Sequence, residues 1–415
     1  MGKADMLIIC LVKGVPAKTT QVVTVSGVLR REEMELVLNP HDVKAVEAAY
    51  YVKKTVGGKI VAMTMGPEPK LVPIMSDLVE PREESKYVPR ISFEGFDERI
   101  ILSDRRMAGA DTWATSYTLA CGIKRYLQNH FDAVDRLKDV VEKSSVDEAL
   151  KLAEELYEQN FLPHHIYSKL PSVKDSVFSR YARGEISRED VSAELEKYRE
   201  RLSKFIILTG MKTSDGETGN VGPQTAEALS QMLGVTIPSI AFTRDFEISP
   251  ELDHVIAERK IGNIIQKMRT VLPCLLTIDH HYEPRTPPAT SQKKARAHSY
   301  PHKLENPLVW NADYINADPT KLGLMGSPTI VGPGYEIGKP PTQKFVGETL
   351  VFKKDVEKLE WNGKTYGPFK KGDPVNNLPK ELIDSLAAQK AVDVFTLEDL
   401  VEEVFGGVKV VARAV

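Results

Sequence analysis

Short apolar runs set the rhythm of the first two thirds of the chain. They cover residues 7–12, 60–64, 99–103, 205–209, 239–242 and 272–278. Each is nearly continuous in Val, Ile and Leu rather than alternating with polar positions, which predicts strands covered by helices on both faces. A helix is signalled between the first two runs. Asn39 stands as N-cap, Pro40 takes the first helical position, Asp42 sits where a capping-box partner belongs, and Gly57 with Gly58 closes the far end. Val43, Val46 and Tyr50 then share a face for packing on the sheet. Strand and helix alternating in this way predict an α/β fold, a parallel twisted sheet with helices on both faces.

The pattern changes at residue 126. Over 126–203 the chain is charged and helix-forming, with helix starts at Ser145 (Glu148 three residues on) and Ser187 (Asp190). Leu150, Leu152, Leu156, Val191, Leu195 and Tyr198 give imperfect helical stripes. We read this segment as a helical insertion, a solvated appendage or docking surface rather than a seat of chemistry. Residues 283–302, rich in Pro, Lys and Arg, are expected to form an exposed loop. From 303 to 415 the chain reads as an extended C-terminal tail. It has Gly and Pro through 332–341, short helices at 379–388 and 397–404, and the look of a segment that wraps a partner rather than folding alone.

Composition narrows the function. At 415 residues, 42% hydrophobic and 27% charged, the chain is long enough for two or three domains. A net charge of −3 disfavours nucleic acid as partner. The apolar runs fall far short of the ~20 residues of a membrane-spanning helix. Asp5 and Lys13 bracket too short an apolar stretch for a signal peptide, so no membrane insertion and a cytoplasmic location are expected. Cys10, Cys121 and Cys274 are far apart in apolar surroundings and read as reduced and structural. His280, His281, His298 and His302 crowd near Asp279, and His164 and His165 adjoin in the insertion. Lacking helical spacing or cysteine partners, these histidines are taken as exposed or structural, and no metal is expected.

Two stretches carry candidate chemistry. AGADTWATSYTLACGIKR (108–125) follows a strand: Gly109 and Ala110 allow close backbone approach, Thr112, Thr115 and Ser116 offer hydroxyls, and a helix amino end points into the site. Such an end favours phosphate, so Asp111 reads as a helix cap or an acceptor from a ribose hydroxyl. TGMKTSDGETGNVGPQTAEAL (209–229) repeats the construction, with Gly210, Gly216, Gly219 and Gly222 leading to a helix expected to start at Pro223 with Gly222 as N-cap. Its spacing fits neither Walker A nor GxGxxG. Two such loops on one sheet predict a nucleotide site, in a discontinuous domain of residues 1–125 and 204–282.

At this point the chain resembles the electron transfer flavoprotein beta subunits. The resemblance rests, in order, on ICLVKGVP (9–16), NPHDVKAVEAA (39–49), MGP (65–67), AGADTWATSYTL, DGETGNVGPQTAEAL, LPCLLTI followed by EPR, Trp310 and GLMGSPTIV (323–331). It implies a heterodimer with an alpha subunit that carries its own FAD. Some beta subunits of this family hold AMP as a structural ligand; others hold a second FAD, receive hydride from NADH and bifurcate the electron pair. AGADTWATS resembles the second group, so FAD is expected here, with AMP the alternative. The implied nucleotide contacts are Cys10, Asn39, Met65, Gly66, Asp111, Thr112, Ala114, Thr115, Asp215, Thr218, Gly219, Asn220, Val221, Gly222, Gln224 and Thr225, many through backbone amides. No acid–base catalytic residue is implied, because the redox chemistry belongs to the flavin. The implied redox partners are an acyl-CoA dehydrogenase-like protein, ferredoxin or a quinone reductase. Three departures stand out: the three prolines after MGPEPK suggest a rebuilt crossover, TPPATSQKKARAHSYPH lacks the apolar anchor with which the family docks its partners, and the tail exceeds the short arm expected.

Overall fold

In a computed structural model, the protein is described over residues 6–17, 24–25, 28–29, 35–78, 96–171, 173–285, 289–290, 306–329, 348–373, 375 and 378–396. It divides into two units, Met1–Gly334 and Tyr335–Val415.

The first unit is built on a nine-stranded sheet. In chain order its strands are β1 (Leu7–Leu11), β2 (Lys59–Met65), β3 (Glu98–Leu102), β4 (Ile206–Gly210), β5 (Ser239–Ile248), β6 (His254–Ile261), β7 (Ile264–Val271), β8 (Cys274–Ile278) and β9 (Leu308–Trp310). They lie side by side as β7-β6-β5-β8-β4-β1-β2-β3-β9. All pairs from β5 to β9 across this order are parallel. The six apolar runs all form strands of the sheet. What the sequence pattern did not reveal is the antiparallel hairpin of β6 and β7, which continues from a β5 that runs on to Ile248. In β6 only Val255 and Ala257 are buried, and most of β7 is exposed, so neither strand carries a continuous apolar run.

Two layers cover the sheet. Ile8 and Cys10 of β1 pack under α1 (Pro40–Val56) and α2 (Glu68–Asp77) on one face. Leu7, Ile9 and Leu11 pack under α3 (Thr112–Lys143), α6 (Arg188–Leu202) and α7 (Val221–Leu233) on the other. The buried stripe of α1 is Ala45, Val46, Ala49, Val52 and Val56; the predicted Val43 and Tyr50 sit at its margin. Of the three prolines after MGPEPK only Pro73 lies among the described residues, and it does not prevent a helix: Leu71, Ile74 and Met75 of α2 are buried around it, while Pro69, within MGPEPK, sits in the first turn, where no amide donor is needed.

The charged segment after residue 125 does not stand off as a solvated appendage. α3 runs unbroken across that point, and with α4 (Val146–Glu158), α5 (Val177–Ala182) and α6 it shares one apolar core with β1–β3. Both predicted capping boxes, Ser145 with Glu148 and Ser187 with Asp190, are formed. A polar network at the amino ends of β2 and β3 fastens this layer to the sheet. Fully buried Lys59 donates to Glu98 Oε1 (2.8 Å) and to the Asn160 carbonyl, and its Nζ stands 3.1 Å from His130 Nε2. Glu98 also accepts from the Tyr126 hydroxyl (2.5 Å) and Asn160 Nδ2 (3.0 Å). Burial lowers the Lys59 pKa against the pull of Glu98, and burial followed by Lys59 holds His130 neutral.

Residues 335–415, read from sequence as unable to fold alone, form a compact unit with its own core of Phe352, Val375, Leu378, Leu382, Leu386 and Val392. Strand Glu348–Phe352 pairs antiparallel with Val392–Thr396, Leu359–Trp361 with Lys364–Tyr366, and α8 (Lys380–Ala388) is the expected helix. The helix expected at 397–404 and most of the 283–302 loop lie outside the described residues. Trp310 is 7% exposed and packs inside this chain against Tyr126 and Tyr314. All three cysteines are buried free thiols. Among the described residues, no helix is long and apolar enough to cross a membrane.

Candidate nucleotide site

The strand order reverses between β1 and β4. From β1 the chain crosses by α1 to β2 and β3 on one side, whereas from β4 it crosses by α7 to β5 and β8 on the other. Loops leaving two such adjacent strands diverge and open a crevice at their carboxyl ends, where α/β sheets bind ligands.

The loop after β4 is pinned to the start of α1. Asn39 Nδ2 donates to the Lys212 carbonyl (2.9 Å) and Asn39 Oδ1 accepts from Ser214 N (3.2 Å). With both ends of its amide so engaged, Asn39 makes no side-chain cap on α1, contrary to the sequence expectation. Asp42 likewise is no capping-box partner: it accepts from Lys13 N (2.8 Å) and Gly210 N (3.2 Å), tying β1 to β4. Burial pushes the Asp42 carboxyl up to about 7, against these two amide hydrogen bonds. Lys13 Nζ reaches Asp215 at 2.8 Å, and although burial works the other way, Lys13 holds the Asp215 pKa below its usual value.

Glycine is required at two points in this loop for different reasons. Gly219 has φ +66°, and a Cβ there would also stand 3.2 Å from the Met211 carbonyl oxygen. Gly222 lies where a Cβ would meet the methyls of Thr209 and Thr277 at 2.9 Å, so it lets α7 settle on β4 and β8.

The two helix amino ends differ. α3 starts at Thr112 and is capped by Asp111, whose Oδ1 accepts from Ala114 N (3.0 Å). Its Oδ2 accepts from Thr329 N (3.0 Å) and the Thr329 hydroxyl (2.6 Å). Partial burial raises the Asp111 pKa, but the bonds from Thr329 and Ala114 outweigh it and keep the carboxylate charged. This end is therefore closed to an anion. α7 starts at Val221, ahead of the expected Pro223, because Asn220 rather than Gly222 is the N-cap residue. No side chain caps it. The first turns of α3 and α7 touch: Ser116 Oγ donates to Thr112 O (2.6 Å) and Val221 O (3.1 Å), with Gln224 Oε1 at 3.4 Å.

These contacts gather Asp111, Thr112, Thr115 and Ala114 on α3 beside Asn220, Val221, Gly222, Pro223, Gln224 and Thr225 on α7. Asn39, Gly210, Asp215, Thr218 and Gly219 lie in or against the glycine loop between them. Met65 and Gly66 end β2, where Gly66 N donates to Leu102 O (3.0 Å). Gly109 and Ala110 form the turn into α3, and Leu324 packs over Gly109. Four predicted side chains are not presented to a ligand, among them Asn39, which is fully buried with both ends of its amide engaged. Cys10 is fully buried on the α1 side, its pKa raised by burial and then by Asp42; Thr225 donates its hydroxyl to Val221 O; and Ala114 is buried. Lys13, Asp42 and Thr329 also shape the site, a role the sequence did not assign them. Only Lys13, in the KGVP turn after β1, carried a local signal.

The Electron transfer flavoprotein domain matches residues 26–134. The chain is 25% identical over 328 residues to the Caffeyl-CoA reductase-Etf complex subunit CarD of Acetobacterium woodii, covering 78% of this chain and 84% of that protein. It is 23% identical over 351 residues to the Electron transfer flavoprotein subunit beta of Clostridium acetobutylicum (85% and 93%). It is 25% identical over 328 residues to Protein FixA of Bradyrhizobium diazoefficiens (78% and 80%). The chain is thus similar to electron transfer flavoprotein beta-type subunits over most of its length. Electron transfer flavoproteins work with flavin and AMP, and their beta subunits pair with alpha subunits. That similarity supports an electron-transfer role.

Proposed function

We propose that this chain is an electron transfer flavoprotein beta subunit that binds FAD in the crevice between β1 and β4, takes electrons from NADH there, and passes them through an alpha-subunit FAD to redox partners by flavin-based bifurcation. The observation that carries the proposal is the uncapped amino end of α7 beside the strand reversal, reached by a loop whose Gly219 has positive φ. Those residues fit a dinucleotide: unpaired helix-end amides and the helix dipole favour its diphosphate, and Gly219 leaves the backbone open to it.

Bound flavin would supply the hydride and single-electron chemistry. The chain's own residues bind and orient. Asn39 and Asp42 hold the loop rigid against α1, Lys13 fixes Asp215, and Asp111 keeps the α3 end closed so that the diphosphate has one seat. Thr112 and Thr115, partly exposed on α3, offer hydroxyls beside that seat. We take the C-terminal unit and the 283–302 loop as the segments that meet the alpha subunit and an acyl-CoA dehydrogenase-like protein, ferredoxin or quinone reductase in the cytoplasm.

Denaturing the purified alpha–beta complex and identifying the released nucleotides by mass spectrometry tests the reading. FAD alone is expected. Recovery of AMP would make this subunit a non-catalytic scaffold for the alpha-subunit flavin.

A further inference from the structure

The carboxyl end of β8 carries Asp279, His280 and His281, which the nucleotide site does not use. The backbone there is firmly held. Asp279 N donates to Thr243 O (2.8 Å), Asp279 O accepts from Tyr282 N (3.0 Å), and Lys44 Nζ holds Tyr282 O (2.9 Å). Met211 is drawn alongside by its own N–H to Ile278 O (3.0 Å).

From this frame three donor atoms converge, with the Met211 sulfur beside one of them. His281 Nδ1 lies 2.8 Å and His280 Nδ1 3.3 Å from Asp279 Oδ1, and His280 Nδ1 is 3.4 Å from Met211 Sδ. The nitrogen and oxygen atoms all lie within 4.8 Å of one another. A tetrahedral ion with bonds of about 2.0–2.1 Å needs ligand atoms about 3.3 Å apart, so the cluster is near its bound dimensions. The imidazoles are 54% and 62% exposed, open to an ion that keeps water as a further ligand, while the shared carboxylate is only 12% exposed. Imidazole and thioether donors select a borderline transition metal over magnesium or calcium.

We propose that Asp279, His280 and His281, with the Met211 thioether, form a binding site for a divalent transition-metal ion of the zinc and nickel class. In the sequence these histidines lack helical spacing and cysteine partners, and Met211, far away in the chain, is brought to them only by the fold. Bound there, the ion bridges β8 to the loop after β4 at Met211, whose carbonyl faces Gly219.

The test is calorimetric titration of the tag-free, chelator-treated full-length chain with zinc chloride, nickel chloride and magnesium chloride, with cobalt absorption as a geometric probe. One saturable zinc or nickel equivalent is expected, with a cobalt spectrum of tetrahedral type and no magnesium binding. The double variant His280→Ala/His281→Ala, altered only at exposed side chains, is expected to weaken zinc at least tenfold with an unchanged melting midpoint. The pair His298→Ala/His302→Ala is expected to leave binding intact. Absence of saturable binding, equal binding of magnesium, or zinc binding that survives His280→Ala/His281→Ala would overturn the proposal.

Discussion

The two ends of the same parallel strands are built in opposite ways. At the amino edge, polar side chains are turned inward and satisfy one another: Lys59, Glu98, Tyr126 and Asn160 close a buried network. At the carboxyl edge, side chains such as Asn39 and Asp42 hold the backbone from behind, and the exposed chemistry is that of amides at the start of α7. The first end stabilises and the second binds. Side-chain truncation should therefore cost most at the amino edge, whereas at the carboxyl edge a change of backbone conformation should cost binding with little loss of stability.

The largest effect is expected for Lys59→Ala. It strands the Glu98 carboxylate in the core, a loss on the order of 3–5 kcal/mol, visible as a lower urea midpoint with unchanged nucleotide content per folded molecule. A loss below about 1 kcal/mol would mean that water reaches the network and the contrast between the edges is false.

Asp42→Ala comes next, at about 1–3 kcal/mol, because it leaves the amides of Lys13 and Gly210 without an acceptor. This residue also sets a pH dependence. Its folded pKa, raised to about 7 from 3.8, makes its contribution complete below pH 3.8 and lost as pH rises through 7. Urea midpoints across that window should fall more steeply for the native chain than for Asp42→Asn, and parallel curves would show that Asp42 does not titrate there.

Asp111→Ala removes a helix cap and the anchor of Thr329, for about 1 kcal/mol. The nucleotide should remain bound, since α7 is untouched; its loss would move the diphosphate to α3. The smallest effect belongs to Lys13→Ala, whose partly exposed pair with Asp215 is worth under about 1 kcal/mol by denaturation.

The architecture was legible where one local rule decided the outcome. Parallel strands buried on both faces show as unbroken apolar runs, and the glycines of 210–222 announced a loop that meets a helix end. The parts that stayed hidden depend on distant partners. Asn39 and Asp42 look like helix caps until the chain brings Ser214 and Gly210 to them from 175 and 168 residues away. Thr329, which closes the α3 end, gave no local sign of that role, and the β6–β7 hairpin is too exposed to betray itself by hydropathy. In the C-terminal unit Leu378, Leu382 and Leu386 stand at helical spacing and showed in the sequence, whereas Phe352, Val375 and Val392, which complete the core, are scattered and did not.

Nucleotide binding turns on one site, the amino end of α7 reached through Gly219. Its most direct test is the count of FAD released by acid from the purified alpha–beta complex, in the native form and in Gly219→Leu. We predict two FAD per complex falling to one in the variant. One FAD accompanied by AMP in the native complex, or two FAD retained in Gly219→Leu, would contradict it.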